Sequence, residues 1–351
     1  MRIAVFGASG YTGRLAVAEL ARRGVPAVLV GRDAGRLRSA AEEAGIAAPE
    51  IRIAAADDLA GLTAALEGCE AVVNCAGPFH RWGEGVIRAA LAAGCHYVDT
   101  TGEQPYLDRA FREFDEPARR AGRAVVPGTT DDGLPSDLIA ALTAARVGEA
   151  AEIALVVDLV GGGASQGTVR SMGAIRDTLL SGGLGYEDAA WVPRATARRT
   201  EMVPADESEP RPVLRFALPA MVTVPRHVPT RRFEALATKE VSDLFTTLTP
   251  ELADSLPFGP EVADRTAMRW SFAVEAVGVD GRRARGVVRG RDAYGTTAVI
   301  AVEAARRLVA DGAPAGVLAH AQAFDPAGFL DHLGAHGVSW SVEDEPAPGH
   351  R

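Results

Sequence analysis

Short apolar runs recur at 3–6, 27–30, 51–54, 71–74, 97–98 and 124–126. Between them the apolar positions take helical spacing over 15–23, 35–44, 59–66, 84–93 and 105–121. Strand and helix signals alternating at this interval predict βαβ units and a parallel sheet. The strand segments are almost continuously apolar, the pattern of strands covered by helices on both faces. The expected class is α/β, with a doubly wound parallel sheet at the N-terminus.

The pattern changes after Pro127. A loop over 128–137 leads into a helix at 138–146, a strand follows at 152–159, and Gly161-Gly162-Gly163 breaks the chain. Residues 181–212 are rich in glycine, proline and charge, which predicts a mobile or substrate-covering segment, with 161–212 as a lid or wall. Trp270, Phe272, Val274 and Ala276 alternate with less apolar neighbours, and Asp280-Gly281 precedes a second such run at 284–291. An Asp-Gly pair between alternating runs signals a hairpin, because its turn residues tolerate positive φ. A helix at 296–310 stops at Gly312. The expected organisation is a first domain at 1–127, a mixed α+β domain for substrate binding and dimerisation at 128–320, and a C-terminal segment at 321–345 returning to the first domain. The Pro/Gly-rich tail from Pro346 reads as frayed.

The chain has 351 residues, 47% of them hydrophobic and 24% charged, enough for two cores. The balance of 37 basic against 46 acidic residues gives a net charge of −9, which argues against nucleic acid and anionic membranes as partners. A local pocket for a small anion stays open. Cys69, Cys75 and Cys95 are odd in number and suit neither a disulfide framework nor a zinc site. Cys75 ends an apolar run and reads as a buried structural thiol. The run at 3–6 is too short for a signal peptide and no stretch approaches a membrane span, so a reducing, cytoplasmic setting is expected.

Gly7, Gly10 and Gly13 form a GxxGxxG loop between the first strand and the first helix. Glycines in that context give a tight turn, close backbone approach to a pyrophosphate, and close helix–strand packing. The helix start adds unpaired N–H donors and partial positive charge for the anion. The loop therefore predicts a Rossmann dinucleotide site built from Gly7, Ser9, Gly10, Tyr11, Thr12 and Gly13. Dinucleotide sites for NAD place an acidic residue at the end of the second strand, and here Val30-Gly31 is followed by Arg32. A guanidinium matches a ribose 2′-phosphate. The next residue, Asp33, reads as an N-cap of the following helix, and NADP is the expected cofactor. After the fourth strand, Cys75, Ala76, Gly77 and Pro78 are small enough to let the nicotinamide riboside pass close to the backbone.

The catalytic inventory is narrow. The single lysine, Lys239, has no tyrosine four residues before it, which excludes a Tyr-x-x-x-Lys dehydrogenase. No side-chain cluster has metal-ligand spacing and no Gly-x-Ser-x-Gly elbow is present, so no metal is expected and the cofactor carries the chemistry. His80, Asp99, Glu103, Asp131 and Asp132 are the titratable residues near the strand ends, and Asp99, Asp132, Asp131 and His80 form the catalytic shortlist. Each has a structural alternative: Asp99, like Asp137, as a bond to loop backbone, His80 as a solvated side chain.

Taken together these segments resemble the saccharopine dehydrogenase-like oxidoreductases, which include saccharopine reductases and the mycobacterial trans-acting enoyl reductases. The resemblance rests on Gly7–Gly13, on 74–79 with Gly83-Glu84, on His96-Tyr97-Val98-Asp99 with Thr101-Gly102-Glu103, on Val126-Pro127-Gly128 and on Pro135-Ser136-Asp137. It continues in Gly290-Arg291-Asp292-Ala293-Tyr294-Gly295 and in Ala323-Phe324-Asp325-Pro326 with Phe329-Leu330. It implies reduction of a C=N or C=C bond of a small-molecule substrate with NADPH or NADH, a homodimer formed through the second domain, and a return of 325–342 to the first domain. Two positions depart from the family pattern. Asp131 stands where an aromatic is usual, beside the matching Asp132, and Trp82 stands where a tyrosine is common. Two carboxylates at this mouth suggest a cationic or imine substrate. The rival reading is a non-catalytic NADP-binding regulator, which keeps the glycine loop and lacks catalytic residues.

Overall fold

The computed structural model describes residues 1–193 and 195–346; the tail at 347–351 lies outside the described residues. Six apolar runs form the strands β1 (Ile3–Phe6), β2 (Ala27–Gly31), β3 (Glu50–Ile53), β4 (Ala71–Asn74), β5 (His96–Asp99) and β6 (Ala124–Val126). All pair in parallel in the order β6-β5-β4-β1-β2-β3. Between them run α1 (Tyr11–Arg22), α2 (Ala34–Glu43), α3 (Leu59–Leu66), α4 (Phe79–Ala92) and α5 (Gln104–Ala121). Ile3, Val5, Val73 and Val98 feed one apolar layer, and Ala4, Phe6, Val72 and Tyr97 feed the other, so both faces of the sheet are covered. The order reverses between β1 and β4, and the crevice above their carboxyl ends is where such sheets bind ligands.

Two helices of the first domain start four or more residues earlier than their periodicity suggests. α1 opens at Tyr11, directly on the glycine loop, and α4 opens at Phe79. The buried Glu103 carboxylate accepts the Phe79 and His80 N–H groups at 2.7 and 2.8 Å, which satisfies the first turn of α4 from another loop. A cap supplied from a distant part of the chain leaves no local mark in the sequence.

The second domain begins with α6 (Leu134–Val147) and β7 (Ala150–Val160). β7 is central in a mixed sheet, parallel to Phe233–Thr238 on one side and antiparallel to Arg269–Gly278 on the other. Arg269–Gly278 and Arg283–Arg291 form the expected hairpin, and only Gly281 of the Asp-Gly pair has a positive φ, at 87°. Ile153, Leu155 and Val157 of β7 and Phe272, Val274 and Val288 of the hairpin share one core with Leu138 and Ile139 of α6.

Two expectations about the chain's return are corrected. The strand Ser339–Glu345 pairs with Arg283–Arg291 of the second sheet, not with the first. Its alternation of exposed and half-buried residues suits an outer strand. The element that returns is Gly316–Val317, which adds parallel to β6 and makes the first sheet seven-stranded. The helix Ala293–Ala310 also packs along α1 and over β4 and β5, although its sequence lies within the second domain. The segment 181–212 is likewise reassigned. It forms a short hairpin, Gly185–Glu187 with Ala190–Val192, and edge strands of the second sheet, and none of its described residues lines the central cavity.

Candidate cofactor and substrate site

A cavity of about 600 Å³ lies between the carboxyl ends of β1 and β4 and the second sheet. Its first-domain wall is the glycine loop. Gly7 adopts φ +78°, and a β-carbon there would stand 3.0 Å from Ala76. One on Gly13 would collide with the Gly7 carbonyl. The main chain is therefore bare where a pyrophosphate approaches. α1 starts from Gly10 with no side-chain cap, so the N–H groups of its first turn face the cavity without an internal acceptor. By contrast Asp33 and Asp58 cap α2 and α3.

At the end of β2, Asp33 accepts the Arg36 N–H at 3.0 Å and serves as the N-cap. Arg32 is exposed, lines the cavity, and has no ion pair or hydrogen bond among the described residues, as a receptor for an added anion requires. Arg36 lines the same corner, its guanidinium 5.8 Å from the ring of Phe258 in the second domain. The uncapped turn, the glycine cradle and the free guanidinium fit a 2′-phosphorylated dinucleotide. Ser9, Gly10, Tyr11, Thr12, Cys75, Ala76 and Gly77 line the cavity. Gly13 lies beneath the loop and Pro78 serves as the N-cap of α4, so both shape the site from behind.

The four shortlisted acids and bases divide into two pairs. Asp99 is fully buried below the cavity. One of its oxygens accepts the Tyr97 and Tyr106 hydroxyls at 2.8 and 2.9 Å, and the other accepts the Gly128 and Thr101 N–H groups at 2.8 and 3.2 Å. Burial pushes its carboxyl up to about 6 against those donors. His80 binds Glu103 through Nδ1 at 2.8 Å and is also off the cavity. Asp99 ties β5 to the loop after β6 and His80 completes the cap of α4, and neither lines the cavity.

Asp131 and Asp132 both line the cavity. Burial, and then the charge of Asp132, push the Asp131 carboxyl up to about 8. Burial also raises Asp132, against a hydrogen bond from the Thr130 hydroxyl. At neutral pH the pair therefore holds a proton in an enclosed site. It stands close to the mouth formed by Ala76, Gly77 and Gly102, and a β-carbon on Gly102 would come within 3.1 Å of Asp132.

The opposite wall matches the expected segment 161–212 in its first part only: helix Gln166–Ala174 covers the cavity. The chamber behind the acid pair is walled by Val157, Leu159, Phe216, Leu218, Phe245 and Phe272, drawn from four stretches of chain. Among the described residues, Arg170 is the one cationic side chain that the second domain puts on this cavity, and it is paired with Asp254 at 2.9 Å. Strand alternation could have placed Val157, Leu159 and Phe272 on one face, but not the helices that meet them.

The fold and glycine mouth define a Rossmann domain for a phosphorylated dinucleotide, joined to a substrate-side sheet. Residues 3–126 match the saccharopine dehydrogenase NADP-binding domain family, and this first domain belongs to that family and is an NADP-binding domain. A relative in Mycobacterium tuberculosis, provisionally named a trans-acting enoyl reductase, is 35% identical over 181 residues, 48% of this chain and 43% of the relative. The human saccharopine dehydrogenase-like oxidoreductase is 30% identical over 152 residues, 39% of this chain and 35% of the relative. These alignments span less than half the length of either relative. Apo saccharopine dehydrogenase (L-Glu forming) from Saccharomyces cerevisiae superposes with a TM-score of 0.64 at 12% identity, covering 98% of this chain and 100% of that one, a likeness of fold. No helix among the described residues is long and apolar enough to cross a membrane.

Proposed function

We propose that this protein is an NADPH-dependent reductase that saturates a C=C bond conjugated to a carbonyl in a mainly apolar substrate. The observation that carries this reading is an enclosed pair of carboxyls, Asp131 and Asp132, on a cavity walled by the glycine loop on one side and by apolar side chains on the other. Bound NADPH supplies a hydride to one carbon of the double bond. The Asp131–Asp132 pair delivers a proton to the neighbouring carbon and regains it from solvent. Asp131 suits the task because burial and its neighbour keep it protonated to about pH 8.

The C=N alternative has less support from the same residues. A pair that retains a proton presents one negative charge rather than two to an iminium. An amino-dicarboxylate would also need cationic partners, and the one second-domain arginine on the cavity is already paired. The name of the mycobacterial relative points the same way. Oxidation of NADPH should follow addition of an α,β-unsaturated acyl thioester, with negligible turnover of a cyclic imine. Turnover of the imine alone would refute the assignment. NADPH binding with no turnover of either class would favour a regulator instead.

The reading includes a homodimer and a reducing cytoplasmic setting. Ser339–Glu345 pairs on one side only among the described residues, which leaves an edge for a second copy, and Cys69 and Cys95 are buried free thiols. Sedimentation that gives a monomer at working concentration would remove the dimer without touching the chemistry.

A further inference from the structure

The sequence motif around Asp292–Thr297 is not explained by cofactor binding alone. Asp292 caps the helix Ala293–Ala310 by accepting the Gly295 N–H at 2.8 Å, and Arg265 holds Asp292 at 3.1 Å. One turn further in, Thr297 is buried and reaches across to Asp131. Its hydroxyl accepts the Asp131 main-chain N–H at 3.0 Å and donates to Asp131 Oδ1 at 2.8 Å. One hydroxyl thus grips both the backbone and the carboxyl of the same residue.

We propose that Thr297 is a positioning residue that fixes the Asp131 carboxyl so that its acid proton sits on Oδ2, the oxygen left open towards the cavity. The inference rests on the assignment of Asp131 as proton donor. An oxygen that accepts a hydroxyl hydrogen bond is the better place for the carboxyl's unprotonated end. Oδ2 has no hydrogen-bond partner among the described residues and is not among the buried atoms lacking one. The enclosed carboxyl therefore meets the cavity through that oxygen.

The anchor's location gives the grip its purpose. The loop carrying Asp131 belongs to the start of the second domain, but Thr297 belongs to a helix packed along α1 and over β4 and β5. α1 springs from the glycine loop. Thr297 therefore references the acid to the same rigid layer that references the dinucleotide. The spacing between hydride donor and proton donor is then set by helix packing rather than by a free loop, and misplacement by about 1 Å can lower a rate by about a hundredfold. The charged groups facing Asp131 are Asp132 on its own loop and Asp292 at the helix start, with Arg265 engaged by Asp292.

The test is Thr297→Val, which keeps the shape and removes the hydroxyl, beside Thr297→Ser, which restores it. Thr297→Val should lower kcat by about ten- to a hundredfold and leave the KM for NADPH unchanged. The alkaline limb of its kcat profile should move to higher pH, because the lost hydrogen bond favoured the ionised form. Thr297→Ser should recover most of the rate and the original limb. Infrared titration of the protonated carboxyl, with Asp131→Asn to identify the band, reads the same shift without turnover. A rate loss in Asp131→Asn with an unmoved band and profile in Thr297→Val would overturn the positioning role while sparing the acid. Wild-type activity in Asp131→Asn would overturn the acid itself. Equal losses in the Val and Ser variants would reduce Thr297 to packing.

Discussion

A β-carbon placed on Gly13 would stand 2.1 Å from the carbonyl oxygen of Gly7. That separation is far inside any non-bonded contact, and the obstacle is main chain rather than a side chain that can swing away. Gly13→Ala should therefore force the glycine loop off the start of α1, cost about 1–3 kcal/mol or more, and abolish NADPH binding. Calorimetric titration and a thermal melt measure the two effects separately. An alanine variant that binds like the parent would show that the loop does not need this close approach.

Arg32 has no hydrogen-bond or ion-pair partner among the described residues, and Asp33 beside it is occupied as a cap. Arg32→Gln should weaken NADPH by about ten- to a hundredfold, since a charge-assisted hydrogen bond contributes about 1.5–3 kcal/mol. NADH affinity should stay the same. Equal losses for both dinucleotides would mean that Arg32 shapes the loop and does not read the 2′-phosphate.

Asp131→Asn should remove the alkaline limb near pH 8 from the kcat profile and lower kcat by about a hundredfold. Asp99→Asn should behave differently. Asp99 takes four hydrogen bonds beneath the cavity, so its loss should lower the melting temperature while leaving the shape of the pH profile unchanged. Parallel pH–rate series and melts on the two variants distinguish an acid that touches substrate from one that holds the floor.

Asp137 sets a pH window for stability. Burial opposes its charge, but the charge and hydrogen bond of His227, 2.9 Å away, outweigh burial and hold the carboxyl down to about 2. Its contribution is complete above the ordinary value of 3.8 and is lost as pH falls through about 2. His227 is lowered by burial and raised more by Asp137, so its contribution is complete below 6.5 and is lost as pH rises through the raised value. Denaturation midpoints should show this pair adding most between about pH 4 and 6.5. Asp137→Asn should flatten the profile across that range. An unchanged profile would show that the pair contributes nothing.

Glu303 is 1% exposed and binds Arg306 and Arg307 on its own helix and Arg23 at the end of α1. Its carboxyl resists burial because those three guanidiniums outweigh the loss of water, holding it down to about 2. Glu303→Gln should cost about 1.5–3 kcal/mol by weakening charged hydrogen bonds from Arg306, Arg307 and Arg23, with Glu19 still paired to Arg23. Urea unfolding gives the value, and a change within experimental error would show that water reaches Arg23.

The six parallel strands and the glycine loop were readable because they are local. An apolar run between turn signals is a strand wherever it lies, and three glycines at a strand-to-helix turn leave few other conformations. Arg32 was readable for the same reason: its place follows from counting along β2. The acid pair was only half readable. Asp131 and Asp132 stand out in the chain, but so do Asp99 and His80. What separates them is Tyr97, Tyr106 and Glu103, which come from other elements and bind them below the cleft. The wall was expected over 161–212, and only the part before 181 lines the cavity. Glycine and proline between 181 and 212 describe a chain that turns often, and turning often does not say which face the chain covers. The returning strand was missed because Gly316–Val317 is too short to carry a period.

That two-residue strand and the helix before it alter what counts as the smallest unit able to hold the dinucleotide. A fragment ending near Pro127 has the glycine loop and both Arg32 and Arg36. It lacks the layer that keeps Val73, Val98 and Val126 from water, and it leaves the rim of β6 bare. The opening sheet must wait, during synthesis, for nearly two hundred later residues before its last face closes. The polypeptide is thus stitched through itself: neither half reaches its final shape until the ribosome has released most of both.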